Sequence, residues 1–332
     1  MKISDTKNLR QRNQNKLLAT FLDHEMCTKN QLALASNLSL ATVNSLIKDL
    51  LDTNEVLKER VIDPESEEIV DYYYLNSDFS RFLTISVNKE YRRVHLIYRV
   101  YNLADEEIYS DEVIKKTVKI NDIYDIINIV LAKFDNIKVI GISIPGIIND
   151  GKVTSTGLVN FNDIELYSLL KNKYSQKIVL GNDVNMAAIG FYLMEKNYEN
   201  VCLLFQPGES FGGVGVVING QLITGKTNCA GEIQYLPLGE VDQLKLLQTP
   251  HGTIELLSKI VACLTAIINP EIVAISCINL EQASDLDETL QEMIPCKYLP
   301  KIKKVTNLSD FTLVGLQFSC KEALKNNFIN KK

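Results

Sequence analysis

The chain of 332 residues is long enough for two or three structural units, each with its own hydrophobic core. Hydrophobic residues make up 46% of it and charged residues 23%, a balance typical of globular proteins and unlike that of disordered chains. The polar N-terminal segment does not resemble a signal peptide, and no apolar run reaches the roughly 18 residues of a membrane span. Composition therefore predicts a cytoplasmic protein without a membrane partner.

Charge is unevenly distributed along the chain. The net charge of −6 would argue against a nucleic-acid partner. However, residues 1–20 contain five Lys or Arg side chains and one acid, whereas residues 61–80 contain six acids and no base. The basic N-terminal arm could contact phosphate groups even though the whole chain is acidic.

The N-terminal segment predicts a long helix followed by a short one. An apolar stripe predicts a helix over residues 7–23. Thr28 is then a candidate N-cap for a second helix, Lys29–Ser36. The side chains that we expect to face inwards on this short helix are Leu32, Leu34 and Ala35.

A third helix completes a helix-turn-helix pattern. After a three-residue turn, Ser39 is positioned to cap a helix over Leu40–Thr53. The predicted inner face of this helix consists of Val43, Leu46, Ile47 and Leu50. Small polar side chains and a lysine on its outer face suit the major groove of DNA. The predicted DNA-binding residues are Lys29, Ala41, Thr42, Asn44, Ser45 and Lys48.

Two strand-like runs follow, Val56–Val61 and Ile69–Leu75, separated by the turn at residues 63–66. They predict the hairpin wing of a winged helix. Because this segment is acidic, we expect it to lie away from phosphate. The alternative for the whole N-terminal unit is a helical packing module that makes no contact with DNA.

From residue 81 onward, strand-like and helix-like runs alternate, which predicts an α/β fold with sheets covered on both faces. The predicted strands are Arg81–Val87, Val94–Tyr101, a run near Glu107–Ser110, Ile137–Ile144, Lys177–Leu180 and Val201–Phe205. The predicted helices are Ile123–Phe134, Ile164–Tyr174, Val184–Met194 and a C-terminal helix at about Thr312–Lys325.

Polar and glycine-rich turns occur between these elements. Pro145-Gly146 follows a strand, and Asn182-Asp183 lies between a strand end and a helix start, where α/β folds collect ligand groups. Gly212–Gly215 reads as a turn between two apolar strands, and Asn219-Gly220 as a type I′ hairpin turn. Residues 229–233 form a further turn that carries Glu232. Taken singly, each of these signals is weak.

The order of these segments resembles the ROK family, named for repressor, open reading frame and kinase. The similar segments are IGISIPGIINDGKV (140–153), VLGNDVNMAAIGF (179–191), SFGGVGVVINGQLITGKTNCAGEI (210–233) and IINPEIVAIS (267–276). The segment CTKNQLALASNLSLATVNSLIKDLLDTNEVLKE (27–59) resembles the DNA-binding part of the family's repressors. The resemblance implies a winged helix-turn-helix followed by an actin-like, hexokinase-like (ribonuclease H-like) two-lobed domain that binds a sugar between its lobes.

The resemblance also implies domain boundaries. The DNA-binding domain would occupy residues 1–78 and the effector domain residues 79–332. Within the latter, lobe one would comprise about 79–180 with the C-terminal helix, and lobe two about 181–311.

The family's motif for nucleotide phosphates is degenerate in this chain. In the family's kinases, the first strand of the sugar domain ends in an Asp and a Gly-Gly-Thr type turn that hold ATP phosphates and metal. Here Ser86 takes the place of the acid, no glycine follows, and Glu90 adds negative charge. Ser276-Cys277 replaces the family's paired glycines near adenosine. These departures predict that the protein is not an enzyme.

The family's zinc element is missing as well. Gln234 and Tyr235 stand where Gly-His is common, and no cysteine cluster follows. The seven cysteines of the chain include no CxxC pair, as expected of reduced thiols. The sequence therefore predicts neither a metal site nor a cofactor.

What the resemblance retains is a sugar cleft. The implied sugar-binding residues are Pro145, Gly146, Asn160, Asn182, Asp183, Glu232 and Tyr235. The leading interpretation is a transcriptional repressor of sugar metabolism genes, a homodimer or homotetramer that binds operator DNA and senses a sugar or sugar phosphate. The alternatives are an active ATP-dependent sugar kinase fused to a DNA-binding domain, and a constitutive DNA-binding protein without a ligand.

Overall fold

The computed structural model describes residues 2–62, 67–90, 92–208, 210–238, 242–280 and 286–330, with the backbone alone at residues 2–7, 155 and 327–330. The predicted hairpin turn at residues 63–66 lies outside the described residues.

Three helices and an antiparallel hairpin form the N-terminal unit. They are α1 (Lys2–Asp23), α2 (Lys29–Ser36), α3 (Leu40–Asp52), β1 (Val56–Ile62) and β2 (Ile69–Leu75). The Thr28 hydroxyl accepts a hydrogen bond from the backbone N–H of Gln31, whose side chain accepts one from the backbone N–H of Thr28. Ser39 accepts a hydrogen bond from the N–H of Thr42. Both predicted N-caps are thereby confirmed, because each satisfies a donor that a helix start leaves unpaired.

The predicted inner face of α3 is confirmed, whereas that of α2 is wrong in part. Val43, Leu46, Ile47 and Leu50 are all buried. On α2, Leu32 is buried, but Leu34 is 86% exposed and Ala35 is exposed. Ser36 takes the inner position instead and donates to the carbonyl of Leu32. The reason is the helical period, since position 36 lies close to the direction of Leu32, position 34 lies on the opposite side, and position 35 lies at the edge of the buried face.

The next segment, residues 81–194, builds the first sheet with its helices. Its strands and hairpin are β3 (Arg81–Glu90), β4 (Arg93–Asn102), β5 (Glu107–Lys115), β6 (Ile137–Ile144), β7 (Ile147–Asn149), β8 (Lys152–Ser155) and β9 (Lys177–Asn182). Its helices are α4 (Ile120–Lys133), α5 (Leu166–Lys173) and α6 (Asp183–Met194). The predicted start of α5 at Ile164 is wrong, because Ile164 forms a β-bridge with Val153.

Residues 200–330 build the second sheet. Its strands are β10 (Asn200–Gln206), β11 (Gly213–Ile218), β12 (Gln221–Leu222), β13 (Ile272–Cys277) and β14 (Lys301–Lys304). Its helices are α7 (Gln243–Leu246), α8 (Pro250–Ile267), α9 (Asp287–Met293) and α10 (Leu308–Asn330).

The two sheets have the same topology. The first has the strand order β5-β4-β3-β6-β9 and the second the order β12-β11-β10-β13-β14. In each, the first three strands are antiparallel and the last two continue in parallel. Helices connect the parallel strands, as parallel pairing requires. The predicted α/β architecture with two similar halves is therefore present.

Two helices each pack against the sheet that they do not follow in the chain. α6 follows the last strand of the first sheet but packs with Phe191 and Ala188 against the second. α10 follows the last strand of the second sheet but packs with Cys320 against the first. Gly141 in β6 makes room for this contact, since a Cβ there would lie 2.3 Å from the sulfur of Cys320. This arrangement places the start of α6 at the junction of the two halves.

The glycine-rich segment at residues 212–215 differs from its prediction as a turn between strands. Gly213 and Gly215 lie within β11. A Cβ on Gly215 would stand 2.4 Å from the Cβ of Ala188 in α6, so close packing of strand and helix explains this glycine. The type I′ turn is confirmed, because Asn219 and Gly220 have φ values of 50° and 74° and join paired residues of β11 and β12.

Candidate functional site

The start of α6 is tied to the Pro145-Gly146 turn through Asn182. The Asn182 side-chain oxygen accepts a hydrogen bond from the N–H of Asn185 at 2.9 Å and so caps the helix. Its amide nitrogen donates to the carbonyl of Gly146 at 3.0 Å. Gly146 has a φ of 114°, a backbone conformation that residues other than glycine rarely adopt. Asn182 therefore holds the start of α6 and the Pro145-Gly146 turn together.

Asp183 places a buried carboxylate at this helix start. The side chain is 5% exposed, and its Oδ1 accepts hydrogen bonds from the N–H of Val184 at 2.9 Å and the amide of Asn182 at 3.1 Å. Burial raises the pKa of Asp183 to about 6, and the negative charge of Glu232 acts in the same direction.

Glu232 supplies a second carboxylate from the other half of the domain. It lies in the segment after β12 and is half-buried, which raises the pKa of its carboxyl group. The side-chain amide of Gln234 donates to its Oε2 at 3.1 Å. Asp183 and Glu232 are thus close enough for their charges to interact. Hydroxyl groups of a neutral ligand would donate to such a pair and relieve the cost of its burial.

The other predicted sugar-binding residues are placed less centrally. Pro145 is half-buried beside Gly146. Asn160 is exposed, and its amide donates to the carbonyl of Val118 at 3.0 Å, ahead of α4. Tyr235 is 69% exposed. Gln234, which we did not predict, has the polar contact to Glu232 in this segment; no local sequence signal distinguishes it from a surface glutamine.

Hydrogen bonds close the end of β3, the segment that the sequence resemblance aligns with the phosphate turn of the family's kinases. The buried Ser86 hydroxyl donates to the side chain of Asn88, whose amide donates to the hydroxyl of Ser309 at the start of α10. Lys89 reaches outwards to the carbonyl of Gly157 at 3.1 Å. Ser143 lies opposite Ser86 on β6, and its buried hydroxyl has no hydrogen-bond partner in the described part of the chain. Hydroxyl and amide groups of this kind do not fit a metal-bound nucleotide, which requires a carboxylate for the metal and backbone access to the phosphates.

The donor set also does not fit a structural zinc ion. The segment after Glu232 offers Gln234 and Tyr235, where zinc prefers thiolate or imidazole ligands. Within the residues that the structure describes, no group of three or more His, Cys, Asp or Glu side chains is arranged to hold a metal ion.

The predicted DNA-binding side chains form one exposed face of α3. Ala41, Asn44, Ser45 and Lys48 are exposed. Thr42 is half-exposed and shares a hydrogen bond with the capping hydroxyl of Ser39. Lys29 is the first residue of α2 and not part of this face, and its ammonium group lies 5.4 Å from the centre of the Tyr73 ring on β2.

Arg10 joins this face from α1. Its guanidinium donates to Ser45 at 3.0 Å and to the carboxylate of Asp49 at 3.0 Å. The basic N-terminal arm was the only sequence signal that pointed to Arg10, because the pairing depends on how α1 crosses α3.

The hairpin is less acidic than its sequence window indicates. The carboxylate of Asp71 on β2 forms ion pairs with Lys58 at 2.5 Å and with Arg60 at 3.4 Å, and both of these bases lie on β1. These contacts lower the pKa of the Asp71 carboxyl group, chiefly through the hydrogen bond from Lys58. Two bases therefore lie opposite one acid of the hairpin, and the expectation that the hairpin lies away from phosphate stays a prediction.

The N-terminal unit rests on α10. Lys325 of α10 forms an ion pair with Asp23 at the end of α1, at 2.5 Å. Lys321, one turn earlier, pairs with Asp105 of the β4–β5 turn at 2.6 Å. Leu22 of α1 packs against the buried cluster that contains Cys320. One helix therefore contacts both the helical unit and the first sheet.

Comparison with known proteins gives three kinds of match. The ROK family model matches residues 96–245. The xylose repressor of Bacillus subtilis is 31% identical over 102 residues, 30% of this chain and 26% of that protein. The xylose repressor of Caldicellulosiruptor bescii is 23% identical over 251 residues, 71% of this chain and 61% of that protein. The chain thus spans less than two thirds of the length of these relatives.

Solved structures share the fold. A ROK family transcriptional regulator, a homolog of the E. coli MLC protein, superposes with a TM-score of 0.72 at 15% identity and covers 97% of this chain and 98% of its own. The ROK hexokinase of Thermus thermophilus gives a TM-score of 0.59 at 14% identity and covers 74% of this chain and 99% of its own. None of the helices in the described residues is long and apolar enough to cross a membrane.

Proposed function

Because this chain carries a ROK family domain, we propose that it is a DNA-binding transcriptional repressor of sugar-utilisation genes that senses a sugar in a non-catalytic cleft. The observation that carries the proposal is a contrast within the cleft. Asp183 is a buried carboxylate on which the charge of the half-buried Glu232 acts, whereas the end of β3 is closed by the hydrogen bonds of Ser86 and Asn88. A site of this kind can bind sugar hydroxyls without holding a nucleotide.

The N-terminal unit would be the DNA-binding domain, residues 1–78, with a winged helix-turn-helix fold. In that arrangement α3 enters the major groove, where Asn44 is placed to read a base edge and Lys48 to meet a phosphate. Arg10 adds a guanidinium to the same face. A regulator of this kind acts on DNA in the cytoplasm, and a two-fold homodimer would match a palindromic operator.

The effector that fits the cleft is an uncharged sugar. The buried carboxylate of Asp183 and the half-buried one of Glu232 would repel the phosphate of a sugar phosphate, but they can accept hydrogen bonds from hydroxyl groups. Two relatives are xylose repressors, so D-xylose is the first effector to test.

Ligand binding would reach the DNA through the crossed helices. A sugar that bridges Asp183 on α6 and Glu232 beyond β12 favours one arrangement of the two halves. α6 contacts α10, and α10 holds α1 through Lys325 and Asp23. The resulting change in DNA affinity cannot exceed the sugar's preference for one arrangement over the other.

Fluorescence anisotropy with DNA from upstream of the chain's own gene tests this proposal. We expect D-xylose to weaken DNA binding of the wild-type protein. Asp183→Ala should bind DNA as well as wild type but lose the response to D-xylose. Glu292→Ala, which removes an exposed carboxylate on α9, is the control and should respond normally. A response that persists in Asp183→Ala at the same sugar concentration would place the sensing site elsewhere.

A second candidate function is an active sugar kinase fused to a DNA-binding domain. The raised pKa of Asp183, about 6, is the specific observation in its favour, since a general base works best near the operating pH. The Ser86–Asn88–Ser309 contacts argue against it, because they leave no carboxylate at the place where the kinases hold metal.

A further inference from the structure

A separate cavity of about 310 Å³ lies next to the start of α6. Its walls come from both halves of the domain: the β7–β8 hairpin and β9 on one side, and the segment at residues 222–228 on the other. Asn182 and Asn185 contribute to the lining, whereas Asp183 and Glu232 are not part of it. The volume is at the lower end of the range of small-molecule sites, about 300–1,000 Å³.

Asn185 brings an unpaired amide into this cavity. The residue is 9% exposed, and its backbone N–H is bound by Asn182. Its side-chain amide has no hydrogen-bond partner among the described residues, although it lines the cavity. An amide that faces a cavity can both donate a hydrogen bond to a ligand there and accept one from it. The partner of Asn185 is therefore to be sought in the cavity.

The rest of the lining indicates the chemistry of that partner. Aliphatic side chains of Ile178, Leu180 and Leu222 form one surface. The Thr224 hydroxyl is likewise without a partner among the described residues, and the carboxylate of Asp150 lies at the rim. Apolar walls with a few convergent amide and hydroxyl groups suit a compact, uncharged ligand with hydroxyl groups, and Asp150 disfavours an anion.

Asn228 connects the two walls. Its amide donates to the carbonyl of Ile148 in the hairpin at 2.9 Å, and its φ of 56° lies in the left-handed region. A ligand that contacts Asn185 and Thr224 would lie beside this bond and contact both halves of the domain. We propose that this cavity is a second small-molecule site, specific for an uncharged monosaccharide and separate from the Asp183–Glu232 pair.

Isothermal titration calorimetry of the full chain without DNA tests the second site, with D-xylose as the probe. Only the choice of probe rests on the proposed function, and operator binding does not enter the measurement. The wild-type protein should bind two equivalents of sugar. Asn185→Leu, which keeps a similar volume but removes the amide, and Asp183→Asn should each bind one. Thr224→Val should weaken the second site about tenfold, the effect of losing about 1.4 kcal/mol.

Three results would overturn the second site. One is a wild-type protein that binds at most one equivalent of D-xylose and whose binding is unchanged in Asn185→Leu and Thr224→Val. Another is loss of all binding in both Asn185→Leu and Asp183→Asn, which would show one shared site. The last is a crystal structure of the sugar-soaked protein in which this cavity contains only water. Circular dichroism establishes that each variant is folded, and Thr224→Val remains informative if Asn185→Leu is not.

Discussion

Gly190 of α6 and Gly315 of α10 face each other where the two helices cross. A Cβ on Gly315 would lie 3.0 Å from the backbone nitrogen of Gly190 and 1.9 Å from the carbonyl oxygen of Met186. A Cβ on Gly190 would lie 2.0 Å from the carbonyl oxygen of Phe311. The two helices are therefore in backbone contact, and a shift at the start of α6 cannot occur without a response of α10.

Because the two helices cross in backbone contact, replacing a glycine at the crossing by alanine should lower the stability of the protein substantially. Gly315→Ala should lower the free energy of unfolding by about 1–3 kcal/mol, because a methyl group overpacks a contact made by backbone atoms. Gly208→Ala is the matched control, since a Cβ there would meet only a side-chain methyl group of Ile278 at 3.6 Å. Urea unfolding measures both variants. Equal stability of the two would contradict the packing described for the helices.

Stability should fall as pH rises through the titration of Asp183. Its pKa in the folded protein is about 6, above the ordinary value of 3.8, so the folded state keeps a proton that the unfolded state has released. The stabilisation is complete below about pH 4 and declines between pH 4 and 6, by up to about 3 kcal/mol. Glu232 contributes in the same direction, because its pKa is raised as well.

Asp183→Asn, which resembles the protonated carboxyl group, should remove most of this decline and be more stable than wild type at pH 8. Urea unfolding between pH 4 and pH 8 gives the comparison. Glu292→Gln serves as the exposed control and should follow wild type. A steep decline that survives in Asp183→Asn would assign it to another group.

The exposed face of α3 predicts two different DNA-binding defects. Asn44→Ala should cost roughly 1–3 kcal/mol on the operator and little on unrelated DNA, because an amide that reads a base edge provides specificity. Lys48→Ala should weaken binding to all sequences and reduce the slope of affinity against salt by about 1. Anisotropy at several salt concentrations separates them, with Lys196→Ala, an exposed lysine after α6, as control. Unchanged operator affinity in both variants would show that another surface binds DNA.

The closed end of β3 predicts no phosphoryl transfer. Positioning and metal-assisted charge stabilisation dominate that reaction, and Ser86 and Asn88 supply neither. A coupled assay with ATP, Mg²⁺ and a panel of sugars that includes D-xylose should show no turnover above background. Sustained turnover that disappears in Asp183→Asn would instead support the kinase alternative.

The sequence by itself determined the features that depend on neighbouring residues. The caps Thr28 and Ser39, the buried face of α3 and the Asn219-Gly220 turn follow from hydrogen bonds and periodicities that span four residues or fewer. The order of the motifs also indicated an α/β domain of two halves. Local rules failed at Leu34, where an apolar residue was assumed to be buried although the helical period placed it outside.

Only the tertiary structure decided which side chains meet. Arg10 reaches Ser45, Ser86 is linked through Asn88 to Ser309, and the amide of Asn185 is left in a cavity. Each of these arrangements joins segments that are far apart in the chain, and many pairings of polar residues are compatible with the same local pattern. Strand order and the crossing of α6 with α10 select one of them, because close packing requires every Cβ to fit its neighbours and most buried polar groups to find a partner.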